Sequence, residues 1–456
     1  MIFALSEAIA ATSARVLAAD LLPPAVRVQT DTRTLEGGAA FLALRGERFD
    51  GHRFVANAFA RGAACAIVDD ERSVPAGRPA LVVDDTLAAY LALGKLARRS
   101  AGAPVVGITG STGKTTSKQF LLELLRGAGR ACAATPENEN NEVGVAKFLC
   151  GLERDDPRVA IVEMGARKYR DLDPLVEAAL PDIGVLTNVG EAHLEIMGTR
   201  ERIAETKWVL PARSGRAVLS LNDDASRARA GSLATAPVWF GIDGETPPHG
   251  QRAVIVEPDA VWCIAEDGTT ETHRLRITFP GDHNRRNLAA AFAAAQLCGA
   301  PAAALAAACA HLALPRGRYE VLELEGGVRL VFDAYNASLS GTLATLATFG
   351  HEEAARRIAV LGGMAELGDD APAMHEKVGE IAAKRAHVVL AGGRFARDTA
   401  RGVEGEGGVV VRYTNNDDAT GWLRANVRPG DAILLKGSRT YKMEEIARAL
   451  GAEGFR

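Results

Sequence analysis

The stretch Val105–Thr116, which reads VVGITGSTGKTT, decides the fold of this chain. The apolar run from Pro104 to Ile108 predicts a buried β-strand. Apolar residues then recur on one face after the lysine, which predicts a helix over residues 115–125. Strand, glycine-rich loop and helix follow one another in the order that a phosphate-binding loop requires. The predicted loop is Gly110-Ser111-Thr112-Gly113-Lys114-Thr115-Thr116.

The chemistry of this loop depends on its backbone as much as on its side chains. Glycines allow the chain to curl so that N–H groups point at nucleotide phosphates, and the start of the helix adds a positive dipole end. Lys114 supplies a charge, and the hydroxyl of Thr115 or Thr116 can bind Mg²⁺. The longer phosphate-loop pattern would place glycine at Ile108, so this loop is the shorter GxxGKTT form. A chance glycine turn is the alternative, and the flanking strand and helix argue against it.

Two polar side chains follow predicted strands at the same edge of the predicted sheet. Glu163 follows the apolar run 159–162, and His193 lies shortly after the run 183–186. Ligands of such sheets bind at the carboxyl ends of the strands, where a carboxylate and an imidazole could hold Mg²⁺. Mg²⁺ prefers oxygen ligands, and taken alone His193 is more simply a loop histidine. Lys207 would by default be a solvated lysine on a helix face.

The bulk composition limits the classes of function. The 456 residues are 47% hydrophobic and 24% charged, with a formal net charge of -4. This balance gives no field that would attract nucleic acid or an anionic membrane. No apolar run reaches the roughly 18–20 residues that span a bilayer, and the chain start lacks the basic region of a signal peptide. Six cysteines without a CxxC pair indicate neither disulfides nor zinc, so we expect a cytoplasmic protein.

The pattern along the chain predicts an α/β protein of three domains. We expect a small N-terminal α/β domain over 1–102, a central phosphate-loop ATPase-like domain with a parallel sheet over 103–314, and a C-terminal Rossmann-like domain over 315–456. The apolar runs predict strands at 40–44, 64–68, 80–83, 105–108, 159–162, 183–186, 329–332, 358–361, 387–390 and 432–435. Helices are predicted near 53–62, 86–99, 115–125 and 287–312.

Four motifs in fixed order carry a specific resemblance. The sequence contains GSTGKTT at 110–116, EMGA at 163–166, TNVGEAH at 187–193 and FPGDHNRRN at 279–287. In this order the motifs resemble those of the Mur ligases, bacterial cell-wall amide ligases that are related to folylpolyglutamate synthetases. The resemblance runs over essentially the whole chain.

Further stretches are similar to one branch of this family, which joins D-alanyl-D-alanine to UDP-N-acetylmuramoyl-tripeptide. They are DTR at 31–33, GERFDGH at 46–52, NNEVGV at 140–145, GMAELG at 363–368 with His375 downstream, and LKGSR at 435–439. The resemblance implies an ATP-dependent ligase that acts through an acyl phosphate in peptidoglycan precursor synthesis. It also implies a cytoplasmic monomer that binds neither nucleic acid nor membrane.

The resemblance assigns roles in the central domain to residues that match the family motifs. It implies ATP and two Mg²⁺ ions, with Thr115, Glu163 and His193 at the metal positions. Lys207 matches a lysine that is carbamylated in the family, which would turn a cation into a metal-binding anion. Together with Lys114 and Arg318, His193 and Lys207 form the implied catalytic set.

The resemblance also assigns ligand positions outside that set. Asn284 and Asn287 match residues near the adenine, Arg318 matches an arginine near the γ-phosphate, and Asp333 and Asn336 match residues near the ribose. The implied substrate-binding residues are Thr32, Arg33, Asp50 and His52 for the UDP-linked precursor, and Lys436, Ser438 and Arg439 in the C-terminal domain.

Plainer roles exist for several of these residues. Asp333 could cap a turn, and Asn284 or Asn287 could cap a helix. Arg318 could be a surface arginine, whereas Met364 and Leu367 are better explained as core residues.

The chain departs from the family pattern at three places. YNASL at 335–339 stands where the family usually has YNANP, Trp208 follows Lys207 in place of a small residue, and PENE at 136–139 is unusually acidic.

Four competing functions stay open from the sequence. One is a non-catalytic nucleotide-binding regulator, and the intact Lys114, Glu163 and Lys207 argue against it. A ligase that adds the third residue would usually carry a DNPR-like motif in its C-terminal domain, which this chain lacks. A folylpolyglutamate synthetase would lack the N-terminal domain. A phosphate-loop ATPase that works by conformational change would need an Asp after a strand, and Glu163 stands there. The motifs are compatible with either diaminopimelate or lysine as the third residue of the precursor peptide.

Overall fold

Three large β-sheets follow one another along the chain in the computed structural model, which describes residues 1–46, 49–137 and 139–452. Glu47, Arg48 and Asn138, which belong to stretches quoted above, lie outside the described residues. Each sheet packs against helices, so the predicted α/β class with three successive sheet-centred units is confirmed. The exact boundaries at 102/103 and 314/315 stay predictions.

The N-terminal unit is built on a small five-stranded sheet. The strands of the whole unit are β1 Phe3–Ala4, β2 Arg15–Leu17, β3 Ala25–Val26, β4 Val28–Gln29, β5 Ala40–Leu42, β6 Arg45–Gly46, β7 Phe49–Asp50, β8 Cys65–Val68 and β9 Ala80–Val82. Five of them form the main sheet, and β1 with β3 and β6 with β7 form two small pairs. Its helices are α1 Leu5–Thr12, α2 Val55–Ala60 and α3 Thr86–Ala101. The main sheet has the order β2-β9-β8-β5-β4 and is parallel except for the pair β2 and β9. Its parallel strands therefore end at one common edge.

The central unit is built on a nine-stranded sheet. Its strands are β10 Val105–Thr109, β11 Cys132–Ala134, β12 Val159–Glu163, β13 Ile183–Leu186, β14 Arg216–Ser220, β15 Val238–Ile242, β16 Ala253–Val256, β17 Ala260–Ile264 and β18 Thr270–Arg274. Its helices are α4 Lys114–Gly127, α5 Glu142–Cys150, α6 Leu172–Ala179, α7 Leu194–Met197, α8 Arg200–Arg213, α9 Asp224–Arg229, α10 Asp282–Leu297 and α11 Ala302–Ala308. The order is β11-β12-β10-β13-β14-β15-β16-β17-β18, in which the last two pairs are antiparallel. The predicted parallel sheet is confirmed, with an antiparallel extension at one edge.

The C-terminal unit is a six-stranded, mostly parallel sheet between helices. Its strands are β19 Glu320–Leu324, β20 Val328–Phe332, β21 Arg356–Gly363, β22 Val388–Ala391, β23 Val410–Arg412 and β24 Asp431–Gly437. Its helices are α12 Leu339–Phe349, α13 Ala371–Arg385, α14 Ala396–Gly405, α15 Asn416–Asn426 and α16 Glu444–Ala449. The order β19-β20-β24-β21-β22-β23 is parallel except for the hairpin of β19 and β20.

Short 3-10 helices complete the described secondary structure, at Ala19–Leu21, Gly51–Phe54, Glu71–Ser73, Ala230–Ser232, Cys309–His311, Glu325–Gly327, Gly368–Asp370 and Arg439–Tyr441. Every described helix is too short or too polar to span a lipid bilayer.

The packing of the central sheet explains how the units are joined. One face packs on α4, α10 and α11, where the alanine-rich run 288–295 is buried. The opposite face shares a hydrophobic core with α3, α5, α6 and part of the N-terminal sheet. Because β10 lies between β12 and β13, the ends of these three strands meet at the edge where the phosphate loop begins.

The predicted strands are all present to within a few residues, and one predicted helix is different. The alanine-rich segment 287–312 forms α10, which already begins at Asp282, and a separate α11, because Gly299 and Pro301 interrupt it. Gly281 occupies the cap position of α10, so neither Asn284 nor Asn287 is the helix cap.

Candidate active site

The phosphate loop has the backbone shape that the sequence predicts. Gly110 and Gly113 have φ values of 153° and 81°, which side chains rarely tolerate. A Cβ atom at Gly110 would lie 1.8 Å from Thr187 Oγ1, and one at Gly113 would lie 2.3 Å from Asn287 Oδ1. These positions therefore require glycine for close packing as well as for conformation, and Asn287 of α10 lies directly beside the loop.

The segment after β13 holds the loop in place. Asn188 accepts a hydrogen bond from Ser111 N through its carbonyl oxygen (3.0 Å) and one from Thr112 N through Oδ1 (3.1 Å). Gly190 N donates to Ser111 Oγ at 2.8 Å. The TNVGEAH motif thus fixes the loop backbone before any ligand binds.

Two lysines converge on one carbonyl oxygen of the loop. Lys114 Nζ donates to Gly110 O at 2.7 Å, and Lys207 Nζ from α8 donates to the same atom at 3.2 Å. Lys207 is 1% exposed, so the default expectation of a solvated lysine is wrong. Burial lowers the pKa of Lys207 well below its ordinary value, and the charge of Lys114 lowers it further. Burial also lowers the pKa of Lys114.

Glu163 is held at the end of β12 by two residues of α4 and one residue that precedes α5. Its Oε1 accepts hydrogen bonds from Asn140 Nδ2 (2.9 Å) and Thr115 Oγ1 (3.2 Å), and its Oε2 lies 3.1 Å from Lys118 Nζ. Burial raises the pKa of Glu163, but the charges of Lys118 and Lys114 outweigh this effect, so its pKa is lowered. Glu163 is therefore a buried, ionised carboxylate beside the phosphate loop.

The C-terminal unit contributes residues to the same site. His193 Nδ1 hydrogen-bonds to Glu366 Oε2, and Glu366 Oε1 accepts from Arg167 Nη2 at 2.8 Å. Arg318 lies close enough that its charge lowers the pKa of Lys114, and its guanidinium stacks 4.3 Å from the centre of the Tyr335 ring. The charge of Arg318 thus acts on the phosphate-loop lysine across the boundary between the two units.

Asp333 and Lys436 form a buried ion pair inside the C-terminal unit. Lys436 Nζ lies 2.9 Å from Asp333 Oδ2 and donates to Asn336 O at 3.0 Å. Asp333 also accepts from Thr345 Oγ1 and, through Oδ1, from Tyr319 N at 3.3 Å. Asp333 is thus more than a turn cap, and Lys436 is buried with its charge already paired, while the side chain of Asn336 is exposed.

The remaining predicted nucleotide and acceptor residues make contacts of their own. Asn284, in the first turn of α10, donates through Nδ2 to the oxygen of Pro280 just before the helix, at 2.9 Å. Ser438 is buried and accepts from Thr440 Oγ1 at 3.2 Å, whereas Arg439 is exposed and lies 5.9 Å from the centre of the Tyr335 ring.

The predicted UDP-precursor residues lie at the edge of the N-terminal sheet. Asp31 binds Arg33 through both carboxylate oxygens, and these hydrogen bonds lower the pKa of Asp31 to about 2. Thr32 is partly exposed. His52 Nδ1 hydrogen-bonds to Asp50 Oδ1 at 2.8 Å, and its Nε2 accepts from Asp69 N at 3.2 Å. Both ring nitrogens of His52 are thus occupied by the protein.

A cleft of about 920 Å³ separates the N-terminal unit from α5. Asp31 and Thr34 contribute to one wall, and Asn141, Lys147 and Arg154 contribute to the other. The wall of the central unit carries both cations and carboxylates, and Lys147 is paired with Glu139 at 2.6 Å.

Family models match the chain in three consecutive segments. They are the Mur ligase family catalytic domain at residues 26–100, the Mur ligase middle domain at 108–295, and the Mur ligase glutamate ligase domain at 317–439. The chain belongs to the Mur ligase family. The resemblance predicted from the motifs is thereby confirmed.

Relatives of this Mur ligase in several bacteria carry one name, UDP-N-acetylmuramoyl-tripeptide–D-alanyl-D-alanine ligase. The protein of Mycobacterium tuberculosis strain H37Rv is 36% identical over 93% of this chain and 92% of its own length. The protein of Bacillus subtilis strain 168 is 32% identical, with the same coverage of both chains. The Escherichia coli K12 protein is 31% identical over 94% of each chain.

Solved structures with the same fold also cover the Mur ligase chain from end to end. The chain matches a crystal structure of MurF from Acinetobacter baumannii with a TM-score of 0.86 at 27% identity, over 99% of both chains. It matches MurF ligase from Thermotoga maritima in complex with ADP with a TM-score of 0.78 at 28% identity, over 93% of this chain and 97% of that one.

The residues of this Mur ligase fit a divalent cation that binds together with a nucleotide. Glu163 offers a buried carboxylate with Thr115 beside it, and oxygen ligands are those that Mg²⁺ prefers. Within the described residues, no cluster of three or more His, Cys, Asp or Glu side chains could hold a metal ion unaided. Phosphate oxygens would have to complete the coordination. The amine of Lys207 in its unmodified form does not fit as a ligand.

Sequence reasoning missed three residues of the site. Lys118 lies one helical turn after Lys114, so the helical period could have placed it on the same face. Glu366 stands in the quoted GMAELG motif, but its contact with Arg167 could not be found from the sequence, because the two meet only when the C-terminal unit lies against the central one. The core assignment of Met364 and Leu367 is confirmed, since each is 3% exposed.

The departure at residues 335–339 leaves the local structure intact. Ser338 caps α12 by accepting a hydrogen bond from Gly341 N at 3.3 Å, and Leu339 is the first helical residue. Serine and asparagine are both good helix caps, so Ser338 can take the place of the usual asparagine.

Proposed function

We propose that this chain is an ATP-dependent ligase that joins D-alanyl-D-alanine to UDP-N-acetylmuramoyl-tripeptide in peptidoglycan precursor synthesis. The observation that carries the proposal is that Lys114 and Glu163 both contact the phosphate loop, while the charge of Arg318, from the C-terminal unit, acts on Lys114. It is supported by relatives of that name that match more than nine tenths of the chain. The ADP complex of a similar MurF ligase supports ATP as the nucleotide.

The proposed reaction activates a carboxylate before an amine attacks it. An oxygen of the tripeptide's terminal carboxylate attacks the γ-phosphorus of ATP, the bond to the β-γ bridging oxygen breaks, and ADP leaves. The neutral amine of D-alanyl-D-alanine then attacks the acyl carbon. Inorganic phosphate leaves with the former carboxylate oxygen, and the amine loses a proton. Each of the two steps breaks one bond and forms one. One ATP is used for each amide bond that is made.

The side chains of the site divide this work. Lys114 and Arg318 would bind the γ-phosphate and offset the negative charge that builds up during transfer. Asn284 and Asn287 would lie near the adenine, and Asp333 with Asn336 near the ribose. Because the two cations come from different units, the C-terminal unit must lie against the phosphate loop for transfer, and this arrangement also excludes water from the acyl phosphate.

Two Mg²⁺ ions would supply charge neutralisation on the phosphates. Thr115 and Glu163 would hold one ion. His193 and a carbamylated Lys207 would hold the other. The carbamate is supported by the buried amine of Lys207, whose lowered pKa favours the neutral form that attacks CO₂.

The precursor would bind along the cleft between the N-terminal sheet and α5. The cations Arg27, Lys147 and Arg154 that line it would offset the charge of a diphosphate, with Thr32, Arg33, Asp50 and His52 at the sheet edge. The acceptor dipeptide would bind at the C-terminal unit, where Ser438, Arg439 and Lys436 lie. We place the domains at 1–102, 103–314 and 315–456, and the three family segments fall within these ranges.

The cellular setting follows from the reaction. Its substrates, a nucleotide-linked precursor and ATP, are cytoplasmic compounds, so we place the enzyme there as a monomer. By supplying wall precursor it would serve cell division and cell shape.

The test is a product assay with a panel of acceptors. Purified protein is incubated with ATP, Mg²⁺ and UDP-N-acetylmuramoyl-tripeptide, and the product mass is measured with D-alanyl-D-alanine, D-alanine, L-lysine or glutamate as acceptor. We expect the pentapeptide only with the dipeptide. A product with another acceptor and none with the dipeptide would move the chain to a different branch of the family.

A variant pair ties that activity to the phosphate loop. Lys114→Ala should lower kcat by at least about 100-fold, since it removes a charge on the transferring group. Lys384→Ala, which removes an exposed lysine of α13, should leave it unchanged. Retention of more than a few per cent of kcat in Lys114→Ala would contradict the assignment of the loop.

A further inference from the structure

Glu366 is the point at which the C-terminal unit contacts His193 of the central unit. It follows β21 in the loop that carries the GMAELG motif, and its Oε2 is hydrogen-bonded to His193 Nδ1. The side chain of His193 is 24% exposed, and that of Glu366 is 29% exposed. Glu366 also accepts a hydrogen bond from Glu195 N through its own backbone oxygen, at 3.1 Å. Side chain and backbone of one residue thus both bind the segment that carries His193.

Both partners of this contact have strained backbones. His193 has a φ of 64° and Glu366 a φ of 60°, values in the left-handed region that residues other than glycine seldom adopt. Such strain persists where the surrounding structure imposes it, and it clusters at functional sites. Here the strain lies on both sides of one contact between two units. The contact is therefore built by the fold and not by a chance meeting of surface side chains.

The geometry of the contact determines how the imidazole is oriented. A carboxylate accepts hydrogen bonds only, so the ring nitrogen that faces Glu366, Nδ1, must carry the proton. The lone pair of Nε2 then remains for another partner. Histidines that bind metals typically have this arrangement, in which a carboxylate orients the ring through the nitrogen that does not bind the metal.

Arg167 holds Glu366 from the other side. Its Nη2 donates to Glu366 Oε1 at 2.8 Å, so the two carboxylate oxygens bind separate partners of the central unit. Arg167 itself follows the EMGA motif that begins with Glu163. The carboxylate is thus held by residues from the segments that follow β12 and β13.

We propose that Glu366 is a positioning residue, which orients His193 for a divalent cation only when the C-terminal unit lies against the phosphate loop. This inference rests on the proposed function, in which His193 binds metal beside ATP. It makes metal binding and domain closure depend on each other, because either one favours the same contact. The site would then be complete only in the closed arrangement.

The test is metal affinity, measured without the muramoyl substrate. Electron paramagnetic resonance would follow Mn²⁺ binding to the full-length protein in the presence of a non-hydrolysable ATP analogue. Glu366→Ala should weaken Mn²⁺ binding by about 10-fold, which is typical for loss of a carboxylate that orients a metal-binding histidine. Glu366→Gln keeps an oxygen acceptor and should fall between Glu366→Ala and the unchanged protein. Glu404→Gln, which removes an exposed carboxylate of α14, should bind Mn²⁺ normally.

A double variant separates orientation of His193 from general damage. If Glu366 acts through His193, Glu366→Ala should weaken Mn²⁺ binding no further in a His193→Ala background. Excess Mg²⁺ should also largely restore the ligase turnover that the single variant Glu366→Ala loses. Normal Mn²⁺ affinity in Glu366→Ala, or additive losses in the double variant, would overturn the proposal. The Mn²⁺ measurement needs no muramoyl precursor, so its result does not depend on ligase activity. A protein that binds Mn²⁺ but forms no amide product would refute the proposed function, and the role of Glu366 in metal binding could still be tested.

Discussion

Lys207 shows most clearly how a single residue is defined by its surroundings. Its amine is buried beside the phosphate loop, where it donates a hydrogen bond to the carbonyl oxygen of Gly110. A buried ammonium is costly without a carboxylate partner, and no ion pair with Lys207 occurs within the described part of the chain. The neutral amine that this environment favours is the form that reacts with CO₂. A carbamate would replace an unfavourable cation by an anion beside metal ions.

The carbamate can be tested by chemical rescue. Lys207→Ala should abolish most ligase activity, and short carboxylates such as formate or acetate should restore part of it by occupying the vacated space. Phosphate release with both substrates is the measurement. Lys118→Ala is the matched control, because it removes a buried lysine that is a cation paired with Glu163. Rescue of both variants, or of neither, would argue against a carbamate at Lys207.

The sequence predicted the chemistry of individual residues unevenly. Lys114 and Glu163 follow strands in a local pattern, so their position at the sheet edge could be derived from the chain itself. Lys207 could not, because α8 carries polar residues around most of its surface, and its burial depends on the strands and the loop against which it packs. The roles of Arg318 and Asp333 were available only through the family resemblance.

At the scale of elements, the cap of α12 accounts for the departure from the family motif. Ser338→Ala removes the acceptor for Gly341 N and should destabilise the first turn of α12 by about 1 kcal/mol. Ser338→Asn, which introduces the usual family residue, should be nearly neutral. Amide hydrogen exchange over residues 339–345 is the measurement, with about fivefold faster exchange expected for the alanine variant. Equal exchange in both variants would show that the cap contributes nothing.

The elements that were predicted correctly are those with a continuous apolar run. Strands such as β10, β12 and β13 are buried on both faces, so their residues are apolar without interruption. The edge strand β18 was missed because it reads TETHR and has no apolar run. The strands β14 to β17 contain apolar runs but were not predicted. The two-residue strands of the N-terminal unit are too short to produce a pattern, whereas the three-residue strands β5 and β9 are apolar throughout and were predicted.

At the scale of the whole molecule, the contact between α10 and the C-terminal unit gives a dependence of stability on pH. Burial of His283 lowers its pKa to about 4, and the charge of Lys436 contributes to this effect while that of Asp333 opposes it. The unfolded chain therefore binds a proton, between about pH 4 and about pH 6.5, that the folded protein does not bind. Stability is lost as the pH falls through this window, by about 2 kcal/mol at pH 5.

His283→Gln should remove this loss. The difference in thermal unfolding temperature between about pH 7.5 and about pH 5 should be smaller in the variant than in the unchanged protein. His273→Gln is the control, since His273 lies on the edge strand β18 beside Glu271. An equal temperature difference in all three proteins would show that His283 does not contribute.

The whole site exists only as an arrangement of units, which no local pattern describes. Lys114 and Glu163 come from the central sheet, whereas Arg318 and Glu366 come from the C-terminal one. The order of the motifs predicted that these units are present, but the contact between His193 and Glu366 required their relative placement. The account of the molecule therefore depends on one chemical claim, that this assembled site activates a carboxylate with ATP.

Oxygen transfer tests that claim most directly. UDP-N-acetylmuramoyl-tripeptide labelled with ¹⁸O in the reacting carboxylate is incubated with the protein, ATP, Mg²⁺ and D-alanyl-D-alanine, and the released phosphate is analysed by mass spectrometry. Our account predicts one ¹⁸O atom in each phosphate released, together with one pentapeptide product. Phosphate without label would mean that water had attacked ATP, and it would contradict the proposed ligase mechanism.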